Sequence, residues 1–241
     1  HYAGVVCNLK RIEKLRRKYG IKVIQDAAHC IEGEWDGKKI SKYGDTACFS
    51  FYATKNITTG EGGMVVTNSK HISEKIRVMS LHGLSHDAWK RYSKNGNVFY
   101  QALMPGFKYN MFDLQSAIGR IQLKKIRRFY KKRKAASRLY RELLKDIEGI
   151  RFQHLPEEGK HAYHLFVVDL NTRKSKIKRD YLINLFRRNA IGSSVHFIPI
   201  HMHKYYKERF GLNEKDFPVA SRLARDLISL PFYPVITVKD I

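Results

Sequence analysis

Acidic residues are scarce in this chain: 22 Asp and Glu stand against 46 Lys and Arg in 241 residues, a formal net charge of +24. Such an excess points to nucleic acid, an acidic membrane surface or a phosphorylated small substrate, or to a lysine-rich composition in general; charge alone does not choose among them. Cysteine is equally sparse. Cys7, Cys30 and Cys48 are odd in number and form no C-x-x-C pair. That supports neither a disulfide framework nor a zinc site, and the three read as buried, reduced thiols. No run approaches the roughly 18 consecutive apolar residues of a spanning helix, and His1-Tyr2-Ala3-Gly4 has no charged-then-apolar signal pattern, so nothing directs the chain out of the cytoplasm. Internal repeats and low-complexity segments are absent too. What is present, 43% hydrophobic and 12% aromatic residues, excludes a disordered chain and suffices for one large domain or two smaller ones.

The apolar spacing is that of an α/β protein. Leu9, Ile12, Leu15 and Tyr19 lie at helical intervals between a capping Asn8 and a terminating Gly20. Ile21–Gln25 is a β-branched run ending at Asp26; Thr46–Phe51 and Met64–Thr67 are two further strands, and Ile72, Ile76, Met79 and Leu81 give another helix face. A sheet of parallel or mixed strands flanked by helices follows. Residues 83–106 lack periodicity and read as a functional flap. From Phe112 a long helix runs to about Asp146, and the remainder predicts a smaller α/β lobe: a strand Leu165–Leu170, a helix Tyr181–Arg188 closed by Gly192, a strand Ser194–Phe197 and a helix Val219–Leu230.

The strongest chemical signal is Ser50-Phe51-Tyr52-Ala53-Thr54-Lys55, followed by Gly60, Gly62 and Gly63. Glycines allow positive φ and close backbone approach. A lone lysine in a turn is ordinarily a solvated one. Here Asp26 ends a neighbouring strand and can share a crevice with Lys55, at the place where open α/β sheets bind ligands. An amine able to form a Schiff base, beside a carboxylate able to keep a pyridine nitrogen protonated, is what pyridoxal phosphate requires.

Three segments, Val23-Ile24-Gln25-Asp26-Ala27-Ala28-His29, Phe49-Ser50-Phe51 through Lys55 to Gly60-Glu61-Gly62-Gly63, and Gly106-Phe107-Lys108-Tyr109-Asn110-Met111 with Asp113-Leu114-Gln115, resemble the DegT-type nucleotide-sugar aminotransferases, which are fold-type-I pyridoxal phosphate enzymes. The resemblance covers nearly the whole chain. It implies residues 1–122 as the C-terminal part of a large cofactor-binding domain and 123–241 as a small C-terminal α/β domain. It implies pyridoxal 5'-phosphate as cofactor, with Lys55 as the catalytic amine that also shuttles the proton, Asp26 on the pyridinium nitrogen, His29 against the ring, Ser50 on the phosphate, and Asn110 reaching the phosphate of the partner subunit in a homodimer with a shared active site. Lys108, Tyr109 and His196, the last within Ile191–His201, are the implied substrate contacts. Taken singly, His29 reads as a satisfied core histidine, and Ser50 or Asn110 as a turn hydrogen bond. The Leu230–Pro234 run matches a structural stretch of the family.

The implied reaction moves an amino group from an amino acid, glutamate by resemblance, to a nucleotide-linked keto-sugar, giving an amino sugar for cell-surface glycans and lipopolysaccharide-type polysaccharides. Relatives that act as sugar dehydratases replace the lysine, typically by histidine, so Lys55 favours transamination over a regulatory or dehydratase-like role. The family carries a substantial segment before His1 and a short helix after Ile241. The resemblance therefore implies a shortened chain that folds poorly and is catalytically weak by itself. A nucleic-acid reading attaches to Lys124–Lys134, but Ile126 and Tyr130, four apart, mark a buried stripe on a solvated helix, and no nucleic-acid motif accompanies them. His201 and His203 lack a third ligand, so no metal is expected.

Overall fold

The computed structural model describes residues 1–85, 101–171 and 177–241. It is α/β and divides into two compact units. The first comprises His1–Tyr2, Val6–Ile126 and Glu158–His161; the second comprises Ala3–Val5, Arg127–Glu157 and Ala162–Ile241.

In the first unit helix α1 spans Leu9–Tyr19, where the sequence predicts it. The Asn8 side chain accepts from the Arg11 N–H at 2.9 Å, satisfying one orphan donor of the first turn. Gly20, at φ +61°, ends the helix in the left-handed conformation that costs glycine least. Strand β1 (Ile24–Asp26) pairs in parallel with β2 (Thr46–Ser50), placing Asp26 opposite Cys48. Strand β3 (Gly63–Thr67) returns antiparallel to β2, with Ser50 opposite Gly63 and Thr46 opposite Thr67. The sheet is therefore mixed, in the order β1-β2-β3.

Helix α2 (Lys70–Ser80) follows, capped by Ser69, whose Oγ accepts from the Ile72 N–H at 3.3 Å. A small antiparallel ribbon of Glu34–Trp35 with Lys38–Lys39 and Gly159–Lys160 was not legible in the sequence, because two-residue strands carry no period to read. Of the expected flap, residues 86–100 lie outside the described residues. Its neck is closed by the His82 N–H on Phe107 O and the Leu103 N–H on Gly83 O, each at 2.8 Å. Cys30 is buried as expected and Cys48 half-buried, but Cys7 is exposed, so burial does not describe all three thiols.

Helix α3 (Asp113–Leu144) begins in the first unit and continues into the second. There its inward face buries Arg133, Ala136, Ser137 and Tyr140, while Lys131, Lys132 and Lys134 stay exposed, as a solvated basic face requires. The core of this unit joins Tyr140, Phe166, Val168, Leu170 and Ile228. Tyr140 stacks on Phe166 with ring centroids 4.7 Å apart. Its strands, β4 (Arg151–Phe152), β5 (Phe166–Asp169) and β6 (Leu227–Leu230), form an antiparallel sheet in the order β4-β5-β6.

Three expectations fail in this unit. Helix α4 (Arg179–Arg188) ends before Gly192, at Asn189, whose side-chain amide donates back to Leu185 O at 2.9 Å. Ser194–Phe197 is not a strand; it contributes one bridge, Ser194 to Ser229. The predicted helix Val219–Leu230 is instead helix α6 (Pro218–Asp226) and then β6, preceded by the short helix α5 (Lys204–Phe210). Leu227–Leu230 has helical spacing to the residues before it, but pairing with β5 along its whole length outweighs that local preference.

Among the described residues, no helix is long and apolar enough to cross a membrane.

Candidate active site

Parallel pairing of β1 and β2 directs both strands the same way, so Asp26, the last residue of β1, and the turn leaving β2 at Ser50 emerge at one edge of the sheet. The backbone fixes that edge closely. The Ala27 N–H donates to Cys48 O at 2.9 Å, and the Ala28 N–H donates to the Asp26 carboxylate at 3.0 Å, holding the carboxylate over its own turn. After Ser50 the chain turns: the Tyr52 N–H donates to Ser50 Oγ at 3.3 Å, and the Lys55 N–H to Tyr52 O at 3.0 Å.

Lys55 is half-buried. Burial lowers its ammonium below the ordinary lysine value, while the Asp26 carboxylate acts in the opposite direction. The two groups thus lie within electrostatic reach of each other. Burial, reinforced by Asp26, also pushes the Cys48 thiol up. His29 is half-buried, with its ring 6.5 Å from that of Tyr2 and tilted 51° to it.

The turn that returns from Lys55 to β3 is tied down by residues the sequence reading passed over. Thr58 Oγ1 donates to Phe51 O at 3.1 Å and accepts from the Gly60 N–H at 2.9 Å. Thr59, 4% exposed, donates to Glu61 O at 2.6 Å, and Gln115 Nε2 donates to that same carbonyl at 2.8 Å. The Thr-Thr-Gly sequence was the available signal, since hydroxyls beside glycine favour such side-chain-to-backbone turns.

Glycine is required twice in this turn. At Gly62, with φ +149°, a Cβ would stand 2.5 Å from Thr59 Oγ1 and 2.8 Å from Met111 Cε; at Gly63 it would stand 2.8 Å from Phe49 O.

The remaining predicted residues stand elsewhere. Tyr109 and Asn110 line a cavity of about 720 Å³ together with Cys48, Met64 and Arg77; Asp26, His29, Ser50 and Lys55 do not line it. Lys108 Nζ donates to Asn110 Oδ1, and the exposed Tyr109 ring stacks on Phe107 at 4.8 Å. His196 belongs to the second unit, where its Nδ1 lies 2.9 Å from Ser229 Oγ. His201 and His203 take separate partners, Ser221 Oγ at 2.8 Å and Ile198 O at 3.2 Å. Among the described residues, no group of three His, Cys, Asp or Glu could hold a metal ion.

The chain is 46% identical over its whole length to an uncharacterized protein, MJ1066, of Methanocaldococcus jannaschii, and 40% identical to the spore coat polysaccharide biosynthesis protein SpsC of Bacillus subtilis. It spans 62% of the length of each. Among solved structures it is similar to Helicobacter pylori PseC, an aminotransferase involved in the biosynthesis of pseudoaminic acid, at 26% identity and a TM-score of 0.87, over 99% of this chain and 62% of that one. The model of the DegT/DnrJ/EryC1/StrS aminotransferase family matches residues 1–241. The chain belongs to that family, whose cofactor is pyridoxal 5'-phosphate.

Proposed function

We propose that the intact protein is an aminotransferase that moves an amino group from an amino acid, glutamate in this reading, to a keto-sugar carried on a nucleoside diphosphate. The observation that carries the reading is the emergence of Asp26 and Lys55 at one edge of the β1–β2 pair, with Lys55 half-buried and under the influence of the Asp26 carboxylate.

The residues present fit pyridoxal 5'-phosphate. Lys55 would hold it through Nζ, Asp26 would accept from its ring nitrogen, His29 would lie against the ring, and Ser50 would donate to its phosphate. Gly62 and Gly63 keep the turn after Lys55 closely packed, since a Cβ at either would meet Thr59 Oγ1, Met111 or Phe49 O. When bound, the group supplies an electron sink for the carbon that loses its proton. Desolvation lowers the Lys55 ammonium, which enlarges the neutral fraction able to take that proton. The carboxylate of Asp26, oriented by the Ala28 N–H, keeps a negative charge where a protonated ring nitrogen needs one.

Lys108, Tyr109 and His196 serve the substrate in this reading, and Asn110 serves the phosphate of a partner subunit in a homodimer. The first unit, extended by what the relatives carry beyond this chain, is the cofactor-binding domain, and the second is the small domain. Support for a shared site comes from Asn110 facing a cavity apart from Lys55, and from exposed apolar side chains beside it: Phe107, Tyr109, Phe112 and Leu114 are all at least half exposed. A sugar diphosphate also suits a basic chain. The product would enter surface polysaccharide synthesis, the process named for SpsC.

The test is the visible absorption spectrum of the intact protein with pyridoxal 5'-phosphate, before and after glutamate. A visible band that Lys55→Ala abolishes and glutamate bleaches supports the proposal. A band that survives Lys55→Ala refutes the role of Lys55.

A further inference from the structure

The second unit contains a cavity that the proposed reaction does not use. Its volume is about 350 Å³, and it is walled by Lys131, Lys134, Arg138 and Arg141 of α3 and by Leu155 and Tyr163. The four cations recur at intervals of three, four and three residues, which places them on one helix face. Like charges at that spacing repel one another. Among the described residues, none of the four is within salt-bridge distance of a carboxylate. Elsewhere on the surface the acids are used: Asp169 takes Arg151 and Arg222, Glu34 takes Lys39 and Lys160, and Glu214 takes Arg225. Other cations of the same helix, Lys124, Lys125, Arg127, Arg128 and Lys132, also have no ion pair among the described residues, so what distinguishes these four is that they line one cavity.

Arg141 adds an independent observation. Its Nη2 donates to Gln153 O at 2.9 Å and its guanidinium stands 5.1 Å from the Phe152 ring centroid, which holds the side chain in place. Its Nε is buried with no acceptor. An ionised donor left in that condition is costly. Arg141 itself lines the cavity. Leu155 and Tyr163 also line the cavity, as do Ala135 and Ser137 of α3, the latter 4% exposed. Two arginines can grip phosphate oxygens in pairs, two lysines add compact positive charge, and the volume lies in the range of small-molecule sites.

We propose that this cavity is a binding site for a small phosphorylated molecule. Its phosphate oxygens lie on Lys134, Arg138 and Arg141, and its apolar or planar part rests on Leu155 and Tyr163. The site is carried by the second unit, whereas Lys55 is carried by the first. Occupation is thus independent of the cofactor lysine.

Isothermal titration of the intact protein with ATP and with inorganic pyrophosphate tests this. The wild type is compared with the Lys134→Glu, Arg138→Glu double variant and with Lys55→Ala. Both reversed positions are exposed, so thermal denaturation is expected to report an unchanged fold; Lys131→Glu, also exposed, gives a second variant. The expected result is one saturable ATP site per chain, bound more tightly than pyrophosphate. Its affinity falls at least tenfold in the double variant, falls less in Lys131→Glu and is unchanged in Lys55→Ala. Equal ATP affinity in wild type and double variant places any phosphate site elsewhere and overturns the proposal. Loss of ATP binding in Lys55→Ala overturns it too, because the phosphate would then belong to the active site. Tighter binding of a single-stranded oligonucleotide than of ATP, lost in the same double variant, would assign the face to nucleic acid instead.

Discussion

Replacing Asp45 by alanine offers a quantitative test of what holds the sheet edge in place. The Asp45 carboxylate accepts from Arg16 Nε at 3.2 Å and Nη2 at 3.1 Å, from the Val23 backbone N–H at 2.9 Å and from Lys22 Nζ at 3.3 Å. One side chain therefore joins α1, the entry to β1 and the start of β2. Its contributions are unequal. Lys22 is 80% exposed, so its ion pair adds about nothing. The forked Arg16 pair, with the arginine 32% exposed, adds about 1 kcal/mol. The Val23 N–H, partly buried and deprived of its acceptor in the variant, costs about 1 kcal/mol more. A loss of about 2 kcal/mol at neutral pH lowers the first unit's transition by roughly 4–8 °C for a chain of this size.

The pH dependence of that loss has a definite sign. The Arg16 hydrogen bonds, and then the Val23 N–H, hold the Asp45 carboxyl well below the usual carboxylate range in the folded protein. Such a group contributes its stabilisation fully above its unfolded value of about 3.9, and the contribution fades as pH falls from there through the folded value. Thermal scans of wild type and Asp45→Ala at neutral pH and below about pH 3 should therefore show a gap that narrows on acidification. A gap under about 1 °C at neutral pH, or one that widens in acid, would refute this account of the anchor.

Three further outcomes follow from the geometry. Gly62→Ala drives a Cβ against Thr59 Oγ1 and Met111 at a positive φ, costs about 2 kcal/mol, and should weaken pyridoxal 5'-phosphate binding in a spectral titration of the intact protein. Arg133→Met removes a guanidinium, 5% exposed, whose Nη1 donates to Tyr163 O, His164 O and Phe232 O; denaturation should show the second unit weakened by about 3 kcal/mol. Asp26→Asn removes the charge that holds the Lys55 value up, so the pH profile for modification of Lys55 by an amine-selective reagent should move to lower pH; a shift upward would contradict the pairing.

Part of what positions the candidate site is legible in the residues. Two short apolar runs, one ending at Asp26 and one preceding the turn to Lys55, read as strands whose ends gather ligand groups in open α/β sheets, and β1 and β2 do pair in parallel. Helix α1 was readable because Asn8 and Gly20 are local start and stop chemistry. The threonine turn behind Lys55 was less apparent, because its hydroxyls act on carbonyls that only the folded turn brings within reach. Leu227–Leu230 misled: its spacing continues a helix, and the pairing that makes it a strand lies about 60 residues away at Phe166–Asp169.

The sequence by itself thus determined the α/β class, the helix boundaries set by local caps and the family, all of which depend on residue type and near spacing. Only the tertiary structure decided the antiparallel sheet of the second unit, the cavity that Tyr109 and Asn110 line without Lys55, and the gathering of four cations and Tyr163 around another. Those depend on which distant segments pack together, and contacts across such separations leave no periodic trace along the chain.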